Sequence, residues 1–75
     1  MELKELIELF ADQFDETDMS EIQPETNYQD LEEWSSLTAM GIIAMAKTNF
    51  GKKITGLEVR NCKTVKQLYD LILSK

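Results

Sequence analysis

The sequence predicts an all-α fold, a small four-helix bundle with three long helices and one short one. Three observations carry this. Apolar residues recur at three- and four-residue spacing near both ends of the chain, an uncharged run from Leu37 to Ala46 lies between a Ser-Ser doublet and Gly51, and no segment alternates apolar and polar residues as a half-buried strand would.

The first helix is placed at 2–14, where Leu3, Leu6, Ile7, Phe10 and Phe14 line one side and Glu2, Glu5, Glu8 and Asp12 take the wet side. Acids in its first turn suit the positive end of the helix dipole. Residues 15–35 read mainly as a long loop, because Asp15, Asp18, Ser20, Pro24, Thr26 and Asn27 are turn and cap residues. Met19, Ile22, Tyr28, Leu31 and Trp34 are its expected anchors, with a short helical turn near 29–33. Loops of this length in small domains are often functional.

The second helix runs over 36–50, capped by Ser35 or Ser36 and stopped by Gly51, with Lys47, Lys52 and Lys53 near its negative end. A short third helix covers 56–61. The fourth begins at Thr64, with Gln67 at capping-box spacing, and ends near Ser74. Val65, Leu68, Tyr69, Leu71 and Ile72 form its buried stripe. Neither an internal repeat nor a low-complexity tract interrupts the chain, so 1–75 reads as a single domain.

Composition narrows the function classes. The net charge of −6 disfavours nucleic acid and anionic membranes as partners. Charge is divided: residues 1–33 carry a net −11, residues 34–75 a net +5, a split that marks charged faces and docking surfaces. With no histidine and one cysteine, Cys62, the chain is a poor candidate for a transition-metal site or a Cys–His catalytic pair. Cys62 is expected to be a partly buried small residue ending the third helix. The acids between Asp15 and Thr26 do not follow the calcium-loop pattern. A start of MELKELIELF without a basic flank or long apolar run points to a cytoplasmic protein.

The second helix carries the most information. Leu37 to Ala46 contains no charged residue, whereas a solvated helix usually has a polar back. Two readings stand: it is the central core helix, or part of its surface meets a partner or ligand, for which Met40 and Met45 are adaptable.

Glu33-Trp34-Ser35-Ser36-Leu37-Thr38 resembles the attachment motif of the acyl and peptidyl carrier proteins, which place Asp-Ser-Leu after a long loop at the start of helix two. Phe50-Gly51 followed by Lys53-Ile54 is similar to the family's Phe-Gly-x-x-Ile, and Thr64-Val65 with Leu68, Leu71 and Ile72 resembles its last helix. The resemblance covers nearly the whole chain. It implies a bundle of acyl-carrier-protein type that acts as a monomer and is not itself an enzyme. It further implies that a phosphopantetheinyl transferase joins 4'-phosphopantetheine to Ser36, and that acyl-loading and acyl-processing enzymes then act on the arm. Expected docking residues are Trp34, Ser35, Leu37, Thr38, Gly41, Ile42 and Met45, with Trp34 chiefly packing the loop on helix two.

Two departures from the family pattern are visible. Ser35 stands where the family has the aspartate that helps the transferase recognise its site. The second helix also lacks the acids that fatty-acid carriers present to basic enzymes, leaving Glu32 and Glu33 just before it as partial substitutes. A specialised pathway with its own partners follows from the second departure. The alternative is a carrier-like helical interaction module that is never modified.

Overall fold

The computed structural model describes residues 2–75 and contains four α-helices: α1 (Leu3–Ala11), α2 (Ser36–Phe50), α3 (Gly56–Asn61) and α4 (Val65–Leu73). Two 3-10 turns, Met19–Glu21 and Tyr28–Asp30, lie in the loop between α1 and α2. The described residues contain no strand, only an isolated antiparallel bridge between Asn27 and Thr64. α2 packs on α3, and α1 packs on α4 and α2.

α1 and α4 bury part of the stripe that their periodicity predicts, Tyr69 and Leu71 of α4 being only half-buried, and Ile42, Met45 and Ala46 are the buried residues of α2. Leu6 and Phe10 of α1, Val59 of α3, and Val65, Leu68 and Ile72 of α4 are buried, with Phe14, Ile22, Tyr28 and Ile54 supplied by the connections. No polar or charged side chain among the described residues is buried with them. Burial of an aliphatic or aromatic side chain contributes about 1.5–3 kcal/mol each. An aromatic group ties the loop to α1: Phe10 meets Phe14 at 5.6 Å and Tyr28 at 5.5 Å, and Trp34 lies 4.9 Å from Tyr28.

α1 is shorter than the predicted 2–14. After Ala11 the chain tightens, Gln13 N donating to Phe10 O (3.1 Å) and Phe14 N to Ala11 O (3.0 Å). This three-residue winding still delivers Phe14 to the core, so its apolar spacing looked helical. Met19, expected as a loop anchor, is exposed, whereas Ile22 and Tyr28 are buried and Leu31 and Trp34 pack on the core. The predicted turn near 29–33 occurs slightly earlier, at Tyr28–Asp30.

The ends of the other helices are set by local chemistry. Gly51 adopts φ 65°, the left-handed conformation, with Lys52 N donating to Ala46 O and Gly51 N to Lys47 O. That pattern closes α2, and a side chain there would strain the backbone. Thr55 and Glu58 cap α3 reciprocally, as Thr64 and Gln67 cap α4.

The 24–29 segment joins α3 to α4. Tyr28 Oη lies within hydrogen-bonding reach of the carbonyls of Val59 and Cys62, and Gln29 Nε2 donates to the carbonyls of Arg60 and Cys62, each at 2.8 Å. These are acceptors that a six-residue helix would otherwise leave open. On the other side Val65 N donates to Thr26 O and Lys66 N to Pro24 O, serving the start of α4. The loop thus fixes α3 against the bundle, where it forms one wall of the site.

Candidate functional site at the start of α2

Ser35 is the N-cap of α2. Its backbone is extended (φ −157°), its Oγ accepts from Thr38 N at 3.3 Å, and Thr38 Oγ1 accepts from Ser35 N at 2.7 Å. This closed pair leaves Ser36 as the first helical residue, exposed, its hydroxyl without a hydrogen bond to any described residue. The N–H groups of Ser36 and Leu37 likewise have no acceptor among the described residues, the first main-chain bond of the helix being Ala39 N to Ser35 O. A free hydroxyl beside free N–H groups at the positive end of a helix suits a phosphate ester.

A cavity of about 250 Å³ opens beside Ser36 between α2 and α3. Ala39, Met40 and Ile43 of α2 face Gly56, Val59 and Arg60 of α3 across it, with Trp34 and Gln29 closing one end. The lining is mixed, apolar along Ala39, Met40, Ile43 and Val59 and polar at Gln29, Ser35, Ser36 and Arg60, which suits a flexible chain carrying amide groups. The exposed serine, the unengaged N–H groups and this cavity fit a phosphopantetheine group. Ser36 would hold its phosphate and the α2–α3 cavity would receive the rest. The thiol of such a group holds acyl units as thioesters.

The docking residues read from sequence divide into three sets. Leu37 projects into solvent at 78% exposure, and Ser35 is exposed. Trp34, Thr38 and Gly41 are half-buried: Trp34 in the aromatic group, Thr38 in the cap, and Gly41 beneath the Gln13 amide. Ile42 and Met45 require correction, since they point into the core at 0% and 4% exposure and offer no surface to a partner. An evenly apolar helix gives no periodicity from which to choose its inward face. Met40, named as adaptable but not among the docking residues, is 65% exposed one turn beyond Leu37. The cavity residues Arg60 and Gln29 were missed because they reach the site only through tertiary packing.

Glu33 also differs from expectation. Its carboxylate accepts from the N–H groups of Asp15 (3.0 Å) and Glu16 (2.6 Å) and from the Thr17 hydroxyl. It therefore holds the loop and is not a free docking charge, whereas Glu32 remains exposed. Cys62 is half-buried at the end of α3, and burial, followed by the nearby Glu58 charge, pushes its thiol up, the reverse of an activated cysteine.

Comparison with known proteins agrees with this geometry. The family described as a phosphopantetheine attachment site matches residues 4–72. The acyl carrier proteins of Myxococcus xanthus and Micrococcus luteus are each 40% identical to the chain over 55 residues, covering 73% of it and 70% and 68% of themselves. No solved structure gives a significant match. The class is a phosphopantetheine-bearing helical carrier. The chain belongs to the acyl carrier protein family.

Proposed function

We propose that Ser36 is the residue to which 4'-phosphopantetheine is attached, and that 1–75 works as a single carrier domain shuttling acyl or related intermediates for a specialised biosynthetic pathway. A phosphopantetheinyl transferase would form the bond from the Ser36 oxygen to the phosphorus nearest the pantetheine of coenzyme A. The diphosphate link breaks, the nucleotide leaves, and the serine proton passes to the transferase. The observation that carries this is the exposed, unbonded Ser36 hydroxyl at the first position of α2 beside the α2–α3 cavity. Tethering raises the effective concentration of an intermediate at each enzyme in turn. Chemistry then belongs to the acyl-loading and acyl-processing enzymes, and the carrier acts as a cytoplasmic monomer. Among the described residues no helix is long and apolar enough to cross a membrane.

Intact-protein mass after incubation with coenzyme A and a broad-specificity transferase tests the assignment. Wild type gains one phosphopantetheine and Ser36→Ala gains none; gain by the variant would move the site elsewhere. The exposure of Leu37 and Met40 favours a second reading, an unmodified interaction module. That reading requires wild type to gain nothing.

A further inference from the structure

The outward face of α2 continues past Ser36 as an apolar strip. Leu37 and Met40 are largely exposed, and Ala44 one turn later is exposed too. Beside the strip lies a shallow groove of about 510 Å³, lined by Met40, Ile43, Ala44, Lys47, Lys53 and Ile54. Its walls are apolar except for the two lysines, both exposed and neither in an ion pair among the described residues. α2 itself contains no acid. Asp15 and Glu33 lie at the other end, beside Leu37 and Thr38, and Glu58, whose carboxylate accepts from Thr55 N next to Ile54, is already paired with Lys75.

We infer that this groove docks a protein partner that inserts an apolar side chain between Met40 and Ile54 and meets Lys47 and Lys53 with carboxylates. The reasoning is charge complementarity around a desolvated centre. An apolar insert supplies contact energy, while the two exposed ammonium groups on the rim select an acidic surface and repel a basic one. The side of the partner lying farthest from Ser36 is thus acidic. The inference rests on the carrier reading only in taking the partner to be an enzyme that uses the arm.

Two synthetic amphipathic helical peptides with the same leucine face, one with a glutamate flank and one with a lysine flank, serve as probes. Each is titrated into ¹⁵N-labelled protein bearing phosphopantetheine and, separately, into the Ser36→Ala protein. The glutamate peptide is expected to shift the amides of Met40, Ile43, Ala44, Lys47 and Lys53 in both proteins, more weakly as salt rises. The double variant Lys47→Glu/Lys53→Glu, on exposed positions, should keep its helical spectrum and bind the glutamate peptide about tenfold less tightly at low salt. Equal or tighter binding of the lysine peptide in this groove would overturn the inference, as would glutamate-peptide shifts confined to other surfaces or no shift at all. Failure of the Ser36 assignment would be seen separately, as a missing mass gain.

Discussion

The phenol of Tyr28, fully buried in the loop between α1 and α2, lies 2.9 Å from the carbonyl of Cys62 at the end of α3. The same oxygen reaches the Val59 carbonyl, so one loop residue closes the helix that walls the cavity. Tyr28→Phe keeps the ring among Phe10 and Trp34 but removes the donor from buried acceptors. A cost of about 1–3 kcal/mol follows, read as a lower midpoint in urea unfolding. Hydrogen exchange should rise most at the amides of α3. If exchange rose equally in α1 and α4, the bond would be a general packing contact rather than a clamp on α3.

Burial also gives the Tyr28 phenol a titration signature. Desolvation, with a smaller contribution from Cys62, pushes its pKa well above the ordinary value of about 10. Above pH 10 the unfolded chain releases this proton while the folded chain keeps it. Fewer protons on the unfolded state make stability fall as pH rises, by about 1.4 kcal/mol per unit from this group. The contribution is intact below pH 10 and is lost toward the folded-state pKa. Unfolding free energies at pH 9 and 11 for wild type and Tyr28→Phe measure it: the variant should show the shallower decline.

Glu33→Ala should release the Asp15–Thr17 segment, whose two N–H groups and hydroxyl the carboxylate receives. Bonds to a charged acceptor are stronger than neutral ones, but this site is partly wet, so about 1 kcal/mol is expected. Glu33→Gln, which retains one oxygen, should recover part of the loss. Exchange protection at Asp15 and Glu16 is the direct readout.

Residues whose partners lie within a few positions were legible in the sequence. Thr64 with Gln67 marked the start of α4, the Ser-Ser doublet marked that of α2, and Gly51 marked its end, because caps and left-handed stops are local chemistry. The position of Ser36 at the helix start followed from the same signals. The orientation of α2 did not, since Ile42 and Met40 are equally apolar and only packing against α3 and α1 turns one inward and the other out. Arg60 and Gln29 were invisible as site residues, being joined to the start of α2 by contacts far apart in sequence. Phe14 misled the α1 boundary because a 3-10 turn and an α-helical turn can both return a side chain to the same core.

Gly41 lies inside α2 where glycine weakens a helix by roughly 0.5–1 kcal/mol relative to alanine. A Cβ there would come within 2.6 Å of Gln13 Oε1, the far end of a half-buried side chain held by a 3.3 Å bond to Leu9 O. That side chain is flexible, so the helix gain should exceed the lost contact. Gly41→Ala is expected to raise the unfolding midpoint, with up to about 1 kcal/mol of added stability. A fall would mean that the Gln13 amide is a fixed brace between α1 and α2.

Ser35 tests how the cap and the proposed attachment at Ser36 are linked. Ser35→Ala removes the Oγ that Thr38 N donates to and should cost about 1 kcal/mol. Ser35→Asp keeps a capping oxygen and adds a negative charge at the positive end of α2, so stability should hold or rise by a few tenths of a kcal/mol. The acid also restores the residue that carriers of this family place before the modified serine. Ser35→Asp should therefore be modified faster than wild type by a broad-specificity transferase, while Ser35→Ala is not. Initial rates of phosphopantetheine incorporation, compared with thermal unfolding of the same variants, separate recognition from stability. If both variants slowed modification equally, the serine hydroxyl itself would be what the transferase reads.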